Sequence, residues 1–118
     1  MPNQTRLGQM ETMVNAADKG RRNEKKAMDV LEAEGWHIAF RSIRVRHQRI
    51  DFDNVFDIAA LKGKFRKWVQ VKSESSVRWR HDKEILRKWK NDYGNEYDSC
   101  EVWAYYDRKG FRKEIVTV

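Results

Sequence analysis

Val55-Phe56-Asp57-Ile58-Ala59-Ala60-Leu61-Lys62-Gly63-Lys64-Phe65-Arg66-Lys67-Trp68-Val69-Gln70-Val71-Lys72-Ser73 is the stretch from which the architecture is read. Residues 55 to 61 form an apolar run interrupted by one carboxylate, and 65 to 73 resume as a second segment carrying Phe65, Trp68, Val69 and Val71. Both patterns predict strands, and Lys62-Gly63-Lys64 between them predicts the turn of an antiparallel hairpin. Alternation places Trp68, Gln70 and Lys72 on one face of the second strand and Val69 and Val71 on the other. A lone Asp in an apolar strand is disfavoured by propensity and by desolvation, so Asp57 points to a function. A solvated sheet face explains Gln70 and Lys72 equally well, but leaves Asp57 unexplained.

Upstream, Ala27, Met28, Val30 and Leu31 recur at helical spacing with Gly35 as a stop, which predicts a helix over about 16 to 34. Glu24 precedes Ala27, Met28 and Leu31 by three, four and seven positions and so shares their inward face. A helix-edge salt bridge is the alternative for that residue. Trp36, Ile38 and Phe40, continued by Ile43 and Val45, read as a half-buried strand, and residues 48 to 54 as a loop. Downstream, Ile85, Leu86 and Trp89 predict a basic amphipathic helix over about 81 to 91. The aromatic and β-branched segments 101 to 107 and 111 to 118, joined around Lys109-Gly110, predict a closing hairpin. The expected fold is thus α/β, one mixed sheet flanked by helices in a single domain over residues 16 to 118. Residues 1 to 15, polar and without apolar periodicity, are expected to form a flexible arm.

The 118 residues suit one domain, and 40% apolar residues with five Trp, five Phe and four Tyr suffice for a core. Basic residues outnumber acidic ones 25 to 18, a net charge of +7, which favours a polyanionic partner. The single Cys100 excludes an internal disulfide, and no Cys/His spacing suggests zinc. With no apolar run near the roughly 20 residues of a membrane span and no signal-like start, the chain is expected to be soluble, intracellular and without a membrane partner.

A carboxylate on one strand, with an amide and an amine on its hairpin partner, suits a hard divalent cation, which takes oxygen ligands and assists phosphodiester hydrolysis. These residues resemble the PD-(D/E)xK nuclease superfamily, most of all the archaeal and phage Holliday junction resolvases. The resemblance covers about half the chain. It runs from Lys19-Gly20-Arg21-Arg22-Asn23-Glu24, through Leu31 and Gly35-Trp36, to Phe56-Asp57-Ile58-Ala59-Ala60-Leu61-Lys62-Gly63 and Gln70-Val71-Lys72-Ser73. It implies a restriction-endonuclease-like fold, a Mg²⁺ site that Mn²⁺ also fills, and a homodimer cutting branched DNA in recombination, repair or replication. The family's helix Glu, strand Asp, ExK acid and Lys map onto Glu24, Asp57, Gln70 and Lys72, with Glu24, Asp57 and Gln70 as the metal ligands. Asp57 and Gln70, 13 positions apart, keep the family's hairpin spacing.

Two departures stand out: Phe56 where the family has Pro, and Gln70 where it has Glu. An amide oxygen ligates a metal without supplying charge, so Glu24, Asp53 or Glu74 is expected to compensate. For DNA, Arg21, Arg22, Arg44, Arg46, Arg49, Ser73, Arg78, Arg80, Arg87 and Lys88 are the candidate backbone contacts. A catalytically silent DNA-binding module of the same fold is the alternative reading. A basic RNA-binding protein is a third, which Asp57 argues against.

Overall fold

The computed structural model describes residues 2–45, 48–53 and 55–117, with side chains described for 18–43, 51–53 and 55–117. Its elements run α1 (Pro2–Ala33), β1 (His37–Arg41), β2 (Ile43–Val45), β3 (Gln48–Ile50), β4 (Ile58–Lys62), β5 (Phe65–Ser73), α2 (Trp79–Tyr93), β6 (Asp98–Tyr106) and β7 (Gly110–Ile115). A five-stranded sheet in the order β1-β4-β5-β6-β7 has helices packed on it, and β2 and β3 form a separate two-stranded ribbon. Among the described residues only β5 and β6 pair in parallel, and α2 makes the crossover that a parallel pair requires. The expected α/β fold with a mixed sheet is therefore the one observed.

The alternation in β5 explains the layers. Val69 and Val71 join Ala27 and Leu31 of α1, Ile58 and Ala60 of β4 and Trp103 of β6 in one buried cluster. Trp68 faces the other way, where Phe56, Leu86, Trp89, Cys100, Val102 and Val116 form a second cluster under α2. Each fully buried large apolar side chain contributes about 1.5–3 kcal/mol, so the two clusters clamp the sheet between its helices. Asp82, buried in α2's first turn, accepts a hydrogen bond from the Arg78 N–H at 2.8 Å and so helps cap the helix.

Local signals end the elements where expected. At the C-terminus of α1, Gly35 sits at φ 90°; the Trp36 N–H donates to Leu31 O and the Gly35 N–H to Glu32 O, a Schellman cap. Gly63, at φ 59°, takes the left-handed first position of the two-residue turn joining β4 to β5.

Several boundaries need correction. The helix starts at Pro2 rather than near residue 16, so residues 2–15, expected as an arm, are helical. The single strand expected from Trp36 to Val45 breaks at Ser42 into β1 and β2, and the expected loop contains β3, paired with β2. β4 begins at Ile58, which leaves Asp57 at the strand's entrance instead of within it. β6 begins at Asp98, ahead of residue 101, and α2 runs a turn longer than its apolar spacing predicts. Trp103 of β6 is fully buried in the cluster on the α1 side of the sheet. No helix among the described residues is long and apolar enough to cross a membrane.

Candidate functional site

Asp57, Gln70 and Lys72 converge on a cavity of 490 Å³ whose opposite wall is the segment of α1 carrying Glu24. Four residues spread over 49 positions, 24 to 72, thus line one space. Glu24 is half-buried, two turns before the buried Leu31, on the flank of the helix that rests on the sheet. Ser73 lines the same cavity.

Asp57 is 4% exposed, and three main-chain bonds hold it in place. Its N–H donates to Val69 O at 2.9 Å, its carbonyl accepts from the Ser42 N–H at 2.6 Å, and its Oδ2 accepts from the Val71 N–H at 2.6 Å. The last bond is charge-assisted and orients the carboxylate toward β5. Residues 69 to 71 therefore serve as structural support for Asp57 while Gln70 between them faces the cavity.

Gln70 donates through Nε2 to Val55 O at 3.2 Å. Its Oε1 is buried, and among the described residues it has no hydrogen-bond partner. A buried acceptor without a donor costs about 1–3 kcal/mol, so such an atom on a side chain that lines a cavity is suited to a cation or a water. Two carboxylates and this amide oxygen are all hard oxygen donors, the ligand type of Mg²⁺ or Mn²⁺. Among the described residues no three His, Cys, Asp or Glu lie close enough to hold a metal by themselves. The donor set fits a cation that keeps several waters, not one caged wholly by protein.

Of the residues expected to compensate for Gln70, only Glu24 lines the cavity. Asp53 accepts from the Trp89 indole N–H at 3.0 Å and borders a different cavity, along the flank of α2. Glu74 is exposed outside the lining. Asp51 takes the place expected of Asp53, and Lys19, Asn23, Ser75 and Ser76 also line the cavity. Asn23 was legible in principle, since it sits four positions before the buried Ala27 and is itself 3% exposed. Nothing local marks Asp51, which depends on how the chain leaves β3.

Phe56 is fully buried, 5.6 Å from Trp68 and 4.9 Å from Trp89 between ring centroids. Trp79 packs beside the second core cluster with the Arg112 guanidinium over its ring at 4.5 Å, so it is an anchor for α2. Cys100 lies in that core too, where burial pushes its thiol up to about 12.

The candidate DNA contacts divide into groups. Arg22, Arg78 and Arg80 are exposed, and Arg21, also exposed, lies 3.8 Å from Asp18. On α2, Arg87 pairs with Glu84 and Lys88 with Asp92. Such exposed pairs are worth at most about 1 kcal/mol and yield readily to a phosphate. Arg46 lies outside the described residues, as do the side chains of Arg44 and Arg49, whose main chains pair across β2 and β3.

No family model matches the chain, and no curated protein matches it.

Proposed function

We propose that this chain is a metal-dependent DNA endonuclease of the PD-(D/E)xK type, selective for branched DNA in the manner of Holliday junction resolvases. The observation that carries the reading is the convergence of Glu24, Asp57, Gln70 and Lys72, drawn from α1, the entrance of β4 and β5, on one cavity. Glu24, Asp57 and the Gln70 Oε1 are the groups that would hold Mg²⁺ or Mn²⁺. When bound, the cation supplies positive charge against the phosphate and lowers the pKa of water. The Lys72 ammonium, on the same strand face as Gln70, stabilises negative charge developing on the phosphate. The Val71 N–H keeps Asp57 oriented throughout, so its carboxylate needs no rearrangement during reaction. Exposed Arg21, Arg22, Arg78 and Arg80 offer guanidinium groups to the DNA backbone. A junction resolvase cuts two strands symmetrically, so this reading carries a homodimer with it.

The test is cleavage of end-labelled four-way junction, flap and linear duplex DNA in Mg²⁺ and in Mn²⁺, beside Asp57→Ala. Paired symmetric nicks in the junction, absent with the variant, support the reading. Cleavage of flap or duplex alone removes the junction preference. Binding without cleavage in either metal selects the silent DNA-binding module, a reading favoured by the missing charge at Gln70.

A further inference from the structure

The position of Gln70 depends on a turn that the aromatic core holds still. Phe52 and Phe56 form an isolated bridge, with Phe52 N–H to Phe56 O at 2.9 Å and Phe56 N–H to Phe52 O at 3.0 Å. The Val55 N–H also donates to Phe52 O, at 2.9 Å. The ring of Phe56 is buried against Trp68 and Trp89, so the carbonyl of Val55, one residue before it, has a defined place. That carbonyl receives the Gln70 Nε2. An amide that gives its nitrogen to a carbonyl must turn its oxygen the other way; that oxygen is buried without a partner among the described residues, and the Gln70 side chain lines the cavity.

A glutamate at this position has no N–H for Val55 and would set a carboxylate oxygen against a carbonyl oxygen. A proline at position 56 has no N–H to return to Phe52. The two departures from the PD-(D/E)xK pattern therefore support each other: Phe56 closes the turn that presents the Val55 carbonyl, and that carbonyl selects an amide over an acid at position 70.

We infer that the Val55 main-chain carbonyl is a positioning group that holds the Gln70 amide with Oε1 toward the cavity, making Gln70 a fitted neutral ligand for a hard divalent cation. The ligand half of this inference rests on the metal site proposed above; the positioning half does not.

Two variants test it, Gln70→Glu, which keeps a ligating oxygen and loses the donor, and Gln70→Met, which loses both. Thermal unfolding in EDTA is expected to rank wild type above Gln70→Met and Gln70→Met above Gln70→Glu. Mn²⁺ titration followed by electron paramagnetic resonance is expected to show binding weakened at least about tenfold in Gln70→Met. In Gln70→Glu, Mn²⁺ binding is expected to be no tighter than in wild type. A Gln70→Glu protein as stable as wild type, or one that binds Mn²⁺ tenfold more tightly, overturns the selection of an amide by Val55. Gln70→Met with undiminished Mn²⁺ affinity overturns Oε1 as a ligand while leaving the metal site standing. Wild type that binds Mn²⁺ but cuts no DNA sinks the endonuclease reading and leaves this inference intact. Wild type that binds no Mn²⁺ overturns the ligand role and the metal site together.

Discussion

Two aspartates are buried to nearly the same degree, Asp57 at 4% and Asp98 at 3%, and they do opposite things. Asp98, at the start of β6, accepts from Arg66 Nη2 at 2.8 Å, Trp68 Nε1 at 2.9 Å and the Asn95 N–H at 2.8 Å. Its charge is spent on joining β5 to β6 at the end where their pairing begins. Asp57 sits where the entrance of β4 meets the cavity, lined also by Gln70, whose amide oxygen has no partner among the described residues. Burial of a carboxylate therefore marks no site by itself. What distinguishes the candidate site is burial next to space, with neighbouring polar atoms that the protein's own donors leave unmatched.

The sharpest way to break this contrast is to remove each carboxylate and measure both activity and stability. Asp57→Ala is expected to lower the cleavage rate by on the order of 10²–10³-fold or more, as measured on labelled junction DNA under single-turnover conditions. Asp98→Ala is expected to leave cleavage per folded molecule unchanged and to lower unfolding free energy by about 2–3 kcal/mol in urea titration, because three donors lose their acceptor. If Asp98→Ala abolishes cleavage without destabilising, the division of labour is wrong.

Acid sharpens the same comparison. Burial acts to raise the Asp98 carboxyl, but the hydrogen bonds from Trp68, Arg66 and the Asn95 N–H outweigh it and hold the group below its ordinary 3.8. A carboxylate with a lowered folded pKa contributes stability that is full above its unfolded value and is lost as pH falls through the folded one. Wild type is therefore expected to lose stability below about pH 4 more steeply than Asp98→Asn, as read by thermal unfolding across pH 2.5 to 6. The smallest effect is expected at Cys100. With its thiol up to about 12 in the core beneath α2, it should resist iodoacetamide at pH 8 until the protein is unfolded, as followed by mass spectrometry. Labelling of the native protein would show that this core opens, and that the α2 side of the sheet is less settled than the α1 side.

Periodicity alone identified the β4–β5 hairpin, the two amphipathic helices and the final hairpin, because each depends on residues adjacent in the chain. The same alternation put Gln70 and Lys72 on one strand face, and the misfit of Asp57 among apolar neighbours singled it out. Out of reach were features that depend on distant partners. At Ser42 the chain leaves its pairing with β4, after a last bond from the Ser42 N–H to Asp57 O, and from Ile43 it pairs with β3, an exchange of partners that no local pattern announces. Asp53 and Asp51 look interchangeable as letters, yet the first goes to Trp89, 36 positions on, and the second to the cavity. Glu101 in β6, 3% exposed, reads as one more polar strand residue until the Trp103 indole and Ser99 hydroxyl are seen to hold it.

The sequence by itself determined the α/β class and the hairpin, which follow from spacing, and it singled out Asp57 by the cost of placing charge among apolar residues, while grouping it with Glu24, Gln70 and Lys72 as one site is what the resemblance to a nuclease family implies. Only the tertiary structure decided that those four share a cavity, that Asp53 and Glu74 lie outside it, and that the Gln70 oxygen is buried without a partner among the described residues. Those outcomes turn on the Val55 carbonyl and the Trp89 indole N–H, whose positions are set by packing across the sheet.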